Sequence, residues 1–150
     1  QAPQTSSSGL GTFGEGGSFS SDGRWIAIAS DHAGSTQIYV RSFPDGKQVR
    51  QISTDGGVSP RFARSGPLEE LYYQRGDQMM AVELTLTTQP IVVRETRVLF
   101  EGSYEMGFDV TRDGQRFLMM VANEKQAATQ VNVVLNWFEE LKRRVAPAPK

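Results

Sequence analysis

Short apolar runs alternate along the chain with clusters of Gly, Pro, Asp and Ser. Most runs are rich in β-branched and aromatic residues and are too short for helices, which favours β-strands. The connections carry Asp-Gly and Pro-Asp-Gly sequences, which suit tight hairpin turns. The pattern therefore predicts an all-β fold. Its candidate strands are residues 25–30, 37–42, 49–53, 71–74, 79–84, 96–100, 107–111, 117–122 and 130–136.

The two ends of the chain differ from this pattern. Residues 1–17 are rich in Ser, Gly, Gln and Thr and predict a flexible lead-in. Residues 138–144 predict a short helix, because Phe138, Leu141 and Val145 fall on one helical face. Residues 145–150 alternate Ala and Pro and predict a tail.

A repeated segment is the most informative feature of the sequence. Residues 18–29 and 107–120 both give a Phe, a few small or polar residues, Asp-Gly, a basic residue and then an apolar strand. A degenerate middle copy spans 60–66 and precedes the apolar residues 71–73. We therefore predict a structural blade-turn motif of Phe19, Asp22, Gly23, Phe62, Gly66, Phe108, Asp113 and Gly114.

The spacing of these copies is typical of β-propeller blades. Phe62 follows Phe19 by 43 residues and Phe108 follows Phe62 by 46 residues, and a period near 40–50 residues indicates one four-stranded blade per copy. In each blade we expect strand one to end at the Phe and strand two to be apolar on both faces. The predicted fold is about three blades, half of a six-bladed ring, over 18–57, 58–102 and 103–137. The alternative is an ordinary β-sandwich with coincidental Asp-Gly turns.

The residues of this repeat resemble a known family. The segments 19–30 and 38–44 look like the WD40-like repeat of TolB-type propellers. The closing segments, Asp-Val-x-x-Asp-Gly-Gln-Arg-Phe-Leu at 109–118 and Val-Val-Leu-Asn-Trp at 133–137, are similar to the C-terminal propeller region of bacterial eukaryotic-type Ser/Thr protein kinases. Departures are Ser21, where Pro is usual, and Ser65-Gly66 in place of Asp-Gly. The resemblance implies a sensory or scaffold module with an extracytoplasmic placement.

Composition narrows the chemistry further. The formal charge is −1, from 16 Lys+Arg and 17 Asp+Glu, so no general attraction to nucleic acid is expected. The chain has no Cys and one His, which excludes thiol chemistry and His-rich or Cys-rich metal sites within one chain. No apolar run is long enough to insert into a membrane. We predict no cofactor and no metal site.

Several motifs that suggest chemistry have simpler interpretations. The GxGxxG match at 9–14 has no apolar strand before it and no helix after it, so it does not predict a phosphate loop. His32 is expected in a loop, with a catalytic or pH-sensing role as the alternative. Asp22 and Asp113 are expected to cap their own turns, with calcium binding as the alternative.

The remaining charged and aromatic residues are expected to be structural. We predict solvated charge for the carboxylate pairs 69–70 and 139–140. The basic residues 142–144 are expected to end the helix, with a docking patch as the alternative. Strand packing, rather than a stacking platform for sugars or bases, is predicted for Trp25, Tyr39, Tyr72, Tyr73, Phe117 and Trp137, and packing also for Met79, Met80, Met119 and Met120.

The number of blades leads to a prediction about partners. Propellers need 4–8 blades, so three open blades would leave apolar faces and unpaired edges exposed. We expect either a homodimer that completes a six-bladed ring or the missing blades of a longer parent chain. The favoured function is a non-enzymatic module for protein or ligand interaction, at the sensory or scaffold end of a larger receptor-kinase-like protein. The alternatives are the propeller portion of a prolyl-peptidase-like hydrolase and a lone propeller enzyme with a central-channel site.

Overall fold

The structure, a computed structural model, describes residues 13–32, 34–65, 68–88, 90–121 and 132–134. These residues form eleven strands and contain no helix. The strands are β1 (Phe13–Phe19), β2 (Trp25–Ser30), β3 (Gln37–Ser42), β4 (Val49–Gln51), β5 (Val58–Ser65), β6 (Leu68–Arg75), β7 (Gln78–Thr85), β8 (Val92–Glu101), β9 (Tyr104–Val110), β10 (Phe117–Val121) and β11 (Asn132–Val134).

The strands form three antiparallel sheets in sequence order. The first sheet is β1-β2-β3-β4, the second is β5-β6-β7-β8 and the third is β9-β10-β11. The first strands of the sheets lie together, because β5 contacts β1 on one side and β9 on the other. We call β1, β5 and β9 the inner strands. Three up-and-down sheets that share an inner edge are blades of a β-propeller, and the predicted all-β propeller class is confirmed.

Two buried clusters hold the sheets together. The cluster between the first and second sheets includes Trp25, Val40, Leu71 and Val82. The cluster between the second and third sheets includes Tyr72, Met79, Phe117 and Met119. Alternate residues of β6 serve the two clusters, because successive side chains in a strand point to opposite faces. The second sheet is therefore covered on both faces, as expected for a blade between two others.

The inner strands differ from the strand pattern predicted from sequence. β2 and β3 have the predicted bounds. Strand one of each blade was expected to end at the Phe, without a predicted start; β1 does end at Phe19, whereas β5 continues past Phe62 to Ser65. β1 begins at Phe13, so residues 13–17 of the predicted lead-in are part of a strand. β1 contains three glycines and β5 contains Pro60, residues with low strand propensity. Their pairing with the apolar strands β2 and β6 supplies the order that their own sequences do not.

The hairpin pairing also corrects the alignment of the repeat. Phe19 pairs with Ile26, Phe62 with Leu71, and Val110 with Phe117. The third-sheet equivalent of Phe19 is therefore Val110, and Phe108 lies two residues earlier in β9. Phe108 is buried in the cluster between the second and third sheets, whereas Phe19 is exposed. Aligning the first and third copies of the repeat on their Phe residues is therefore wrong by two positions, because the turn sequence and not the Phe fixes the strand register.

The other predicted elements are placed only in part. Gly66, the predicted helix 138–144 with Trp137, the tail 145–150, residues 1–12 of the lead-in and the carboxylate pair 139–140 lie outside the described residues. Among the residues that the structure describes, no helix has the length and apolar character needed to cross a membrane.

Candidate functional site

The first and third sheets share a turn built by one hydroxyl and one carboxylate. In the first sheet the Ser20 hydroxyl donates to Asp22 Oδ1 at 2.7 Å and accepts from the Trp25 backbone N–H at 3.0 Å. In the third sheet Thr111 donates to Asp113 Oδ1 at 2.6 Å and accepts from the Arg116 backbone N–H at 3.0 Å. The hydroxyl residue was not recognised from sequence, although Ser or Thr two positions before Asp-Gly was a visible signal.

Asp22 and Asp113 accept hydrogen bonds from their own turns. Asp22 Oδ1 accepts from the Arg24 backbone N–H at 3.0 Å, and Asp113 Oδ1 accepts from the Gln115 backbone N–H at 3.0 Å. Burial alone would raise the pKa of Asp22, but the bonds from Arg24 and Ser20 lower it to about 2. The bond from Thr111, followed by that from Gln115, lowers the pKa of Asp113. Both carboxylates are thus occupied by the turns they close.

The inner strands bulge at equivalent positions. Gly16, Ser59 and Gly107 have positive φ values of 85°, 54° and 95°. Each of them lies three residues before the paired residues Phe19, Phe62 and Val110, and the strand register shifts in each of these regions. A bulge turns backbone and side chains out of the regular ladder, and bulges are frequent next to functional sites. Three bulges therefore meet where the three sheets converge.

An open cleft of about 420 Å³ lies at these bulges, and we call it the axial cleft. All three inner strands line it, because β1 contributes Gly16, β5 contributes Arg61, and β9 contributes Met106 and Gly107. Small-molecule and peptide ligands bind in concave, largely preformed clefts, and the convergence of three sheets provides such a cleft here. The axial cleft is therefore the best candidate site in the described part of the chain.

Gln74 fixes the third-sheet side of the axial cleft. This buried side chain at the end of β6 donates to the Glu105 carbonyl oxygen at 3.0 Å and accepts from the Gly107 N–H at 2.8 Å. The two bonds satisfy backbone groups that the bulge removes from the regular ladder. β9 is therefore held in register against the second sheet at the lining of the cleft.

Arg61 supplies the positive charge of the axial cleft. Its guanidinium lies 3.6 Å from the place that a Cβ on Gly16 would occupy, so the side chain reaches from β5 across to β1. Its only described hydrogen bond runs from Nη1 to the Pro60 carbonyl oxygen at 2.9 Å. No ion pair to Arg61 occurs among the described residues. A guanidinium has five N–H donors, so most of its donors remain for a ligand.

A second cleft lies on the outer side of the first two sheets. It measures about 410 Å³ and is lined by Lys47, Gln48, Val49, Arg50, Pro90 and Ile91. Its two cations come from the β3–β4 turn and from β4, at the edge of the first sheet. This outer cleft lacks the convergence of three sheets, but it provides a matched basic surface for comparison.

The residues with suggestive chemistry do not come together. His32 is exposed between β2 and β3, and its backbone N–H donates to the Ser30 hydroxyl at 3.3 Å. The adjacent carboxylates Glu69 and Glu70 have separate roles. Glu69 accepts from the Ser21 hydroxyl of the first sheet, and Glu70 is buried against the third sheet. Glu70 was therefore predicted wrongly as solvated charge. No cluster of three metal-ligating side chains occurs within the described ranges.

Glu70 is the centre of a polar cluster between the second and third sheets. The Tyr72 hydroxyl donates to Glu70 Oε2 at 2.5 Å, and Arg97 Nη2 donates to Glu70 Oε1 at 2.6 Å. Burial, together with the bond to Glu70, raises the pKa of Tyr72 above its usual range. The Tyr72 hydroxyl also lies 2.6 Å from the place that a Cβ on Gly114 would occupy. This contact joins the second sheet to the turn of the third.

Comparisons with known proteins support the fold. No family model matches the chain, and no curated protein matches it. Among solved structures, the chain is similar to the crystal structure of TolB from Acinetobacter baumannii, with a TM-score of 0.55 and 19% sequence identity. The match covers 80% of this chain but only 29% of the TolB chain. At this identity the likeness shows the fold, a TolB-like β-propeller, and the chain spans less than a third of that structure.

Proposed function

We propose that the chain is a non-enzymatic propeller module that binds a protein or peptide ligand through an anionic group in the axial cleft. The observation that carries the proposal is Arg61, a half-buried guanidinium in a three-sided cleft without a described carboxylate partner. A carboxylate is the commonest anionic group on proteins and accepts two parallel N–H bonds from a guanidinium. Met106 adds an exposed apolar contact at the same cleft.

The non-enzymatic part of the proposal rests on how the polar residues are used. The Ser20 hydroxyl bonds Asp22 in the first-sheet turn, and the Thr111 hydroxyl bonds Asp113 in the third-sheet turn. Gln74 bonds the backbone of β9. These groups hold the blades in register. The axial cleft itself is lined by the Arg61 cation, the hydroxyl residues Thr36 and Ser59, backbone and apolar side chains, a mixture that suits binding.

The module's proposed setting is the sensory or scaffold end of a larger receptor-kinase-like protein, with an extracytoplasmic placement. The closing segments 109–118 and 133–137 support this setting, because they are similar to the propeller regions of such kinases. The test is to sequence the reading frame that encodes this chain on its N-terminal side. A protein-kinase domain encoded there would support the setting, and a hydrolase domain would replace it with the prolyl-peptidase-like alternative.

Ligand binding is tested by selecting random peptides on the full chain and measuring their affinities by calorimetry. We expect the selected peptides to share an Asp, a Glu or a free C-terminus. Arg61→Gln should weaken them about tenfold or more, because a hydrogen bond to a charged group contributes about 1.5–3 kcal/mol. Arg50→Gln, which removes a cation from the outer cleft, is the control and should leave affinity unchanged. Peptides that bind equally well to the Arg61→Gln variant would contradict the proposal.

A further inference from the structure

The methionine sulfur atoms of the chain differ sharply in their access to solvent. The chain has five Met and no Cys, so these thioethers hold all of its sulfur. Met79, Met80 and Met119 are buried, with at most 3% of the residue exposed, whereas Met120 is 51% exposed and Met106 is 75% exposed. An oxidant in solution must reach the sulfur to convert a methionine into its sulfoxide. Two of the five methionines are therefore open to this reaction in the folded chain.

Of these two residues, Met106 is the one that lines the axial cleft. It lies on β9 directly before Gly107, at the bulge of this inner strand. Gln74 bonds the backbone on both sides of it, at the Glu105 carbonyl oxygen and the Gly107 N–H. The exposed side chain is therefore carried by backbone that is fixed against the second sheet. Met120 lies on β10 and is not part of the cleft lining.

The chemistry of Met106 suits a contact with a ligand. Its exposed fraction is the largest among the large apolar side chains in the described part of the chain. A methionine side chain is unbranched and polarisable, so it adapts to irregular apolar surfaces. Arg61 lines the same cleft. A ligand that brings an anionic group to Arg61 therefore meets an apolar, oxidisable sulfur within the same site.

We propose that Met106 is an oxidation site that regulates the axial cleft, and that its conversion to the sulfoxide by a peroxide weakens ligand binding there. This inference rests on the proposed function, because the regulated quantity is the affinity of that cleft. In the reaction a sulfur lone pair attacks one oxygen of hydrogen peroxide. The O–O bond breaks and an S–O bond forms, so the sulfur is oxidised and the peroxide is reduced to water.

The sulfoxide changes the cleft in two ways that act in the same direction. The oxidised side chain is polar, so its apolar contact with a ligand is lost. The new sulfoxide oxygen is a hydrogen-bond acceptor in a cleft whose donors include the Arg61 guanidinium. It therefore competes with the anionic group of the ligand. The modification is reversible, because methionine sulfoxide reductases restore the thioether.

The first experiment maps oxidation on the full chain without any ligand. The folded protein is treated with hydrogen peroxide, and fragment-ion mass spectrometry locates each added oxygen atom. We expect the added oxygen at Met106 and Met120 and not at Met79, Met80 or Met119, with unchanged strand content by circular dichroism. A Met106 that stays reduced while Met120 is oxidised would overturn the proposal, whatever the cleft binds.

The second experiment measures affinity before and after oxidation by calorimetry. The probe is a peptide selected on the full chain that carries an acidic group but no Met, Cys or Trp, added after the peroxide is removed. Oxidation should weaken binding about fourfold or more, the effect of losing one buried methylene group. Treatment with the reductases should restore the affinity.

Two variants assign the effect to one sulfur atom. Met106→Leu cannot be oxidised, so its affinity should be the same before and after peroxide, whatever its starting value. Met120→Leu is the matched control and should lose affinity on oxidation as the wild type does. A loss of the same size in Met106→Leu, or no loss in the oxidised wild type, would overturn the inference.

The Arg61→Gln variant separates failure of this inference from failure of the proposed function. A peptide that Arg61→Gln weakens but oxidation does not would overturn the role of Met106 alone. A peptide that is insensitive to Arg61→Gln would overturn both proposals.

Discussion

The two internal interfaces of the molecule are built with different chemistry. The interface between the first and second sheets is a cluster of apolar and aromatic side chains that includes Trp25, Val40, Leu71, Tyr73 and Val82. Between the second and third sheets, an aromatic cluster is accompanied by the Glu70 carboxylate and its two partners. The second sheet takes part in both interfaces, because alternate residues of β6 point to opposite faces of the sheet.

The comparison shows that a blade interface can be stabilised in two ways. Apolar burial is non-directional, so the core of the first interface depends on volume and on the area removed from water. Its directional bonds lie at the rim, where the Phe62 backbone N–H donates to the Ser18 hydroxyl and the Ser21 hydroxyl donates to Glu69. At the second interface the buried core itself contains a carboxylate, and the bonds from Gln74 to the β9 backbone hold the third sheet in one register. Substitutions that break each interface by its own chemistry test this difference.

The largest effect is expected from Leu71→Ala at the first interface. Leu71 is completely buried, and deleting a buried Leu side chain costs about 3 kcal/mol of unfolding free energy, within a range of roughly 2–5. Urea unfolding at one fixed protein concentration measures the change. Val92→Ala is the control and should change the free energy by less than about 0.5 kcal/mol, because Val92 is exposed. An equal loss in both variants would show that the first interface does not depend on close packing.

A loss of about 2 kcal/mol is expected from Glu70→Ala at the second interface. The substitution leaves the Tyr72 hydroxyl unpaired in a buried position and removes the short bond to Arg97. Glu95→Ala is the matched control, since Glu95 contacts the same Arg97 at 3.7 Å from an exposed position. The control should lose less than about 0.5 kcal/mol.

Converting the second interface into an apolar one sharpens the same prediction. The triple variant Glu70→Leu, Tyr72→Phe and Arg97→Met removes every member of the polar cluster. We expect its free energy of unfolding to lie within about 1 kcal/mol of the wild-type value, because a buried ion pair is often replaceable by apolar groups of similar volume. If the triple variant lost as much unfolding free energy as Glu70→Ala, the polar cluster would contribute net stability that apolar side chains cannot replace.

The first interface was also the easier one to predict from sequence. The bounds of β2 and β3 follow from apolar runs with high strand propensity, and these runs supply Trp25, Val40 and their neighbours in the core. β1 and β5 were expected as first strands of their blades, but their bounds could not be predicted because Gly and Pro carry no such signal. Their order comes from pairing with β2 and β6, which is a property of the assembled sheet.

The second interface and the axial cleft depend on contacts that sequence patterns do not contain. Glu69 and Glu70 are adjacent and chemically identical, and only strand alternation decides which of them is buried. The positive φ of Ser59 has no sequence signal, since Ser rarely adopts this conformation. Arg61 was not singled out, because its significance lies in its approach to Gly16, about 45 residues earlier.

Two matched glycines test how closely the third sheet fits the second. Gly23 and Gly114 occupy the same turn position with φ values of 69° and 68°. A Cβ on Gly23 would have no neighbour within 4 Å, whereas a Cβ on Gly114 would lie 2.6 Å from the Tyr72 hydroxyl. Ala at either position has a strained backbone that costs about 1 kcal/mol. We expect Gly114→Ala to cost about 1 kcal/mol more than Gly23→Ala in thermal or urea unfolding. Equal losses would mean that Tyr72 moves freely and that the fit is loose.

The smallest effect is expected from Asp22→Asn, which tests whether the first-sheet turn is a local device. The pKa of Asp22 is about 2 in the folded chain against 3.8 for the free side chain. Because the folded pKa is lowered, its contribution to stability is fully present above about pH 4 and is lost as the pH falls toward 2. The side chain is 39% exposed, so screening reduces the contribution to about 1 kcal/mol or less.

The measurement for Asp22→Asn is urea unfolding of the variant and the wild type at pH 7 and near pH 2. We expect the variant's deficit at pH 7 to shrink as the wild-type carboxylate takes up a proton. The Leu71→Ala deficit should change much less over the same range, because that substitution removes no titrating group. A deficit for Asp22→Asn that is as large near pH 2 as at pH 7 would assign the effect to the shape of the turn and not to its charge. The comparison thus separates the charge-dependent turn of the first sheet from the apolar interface between the first and second sheets.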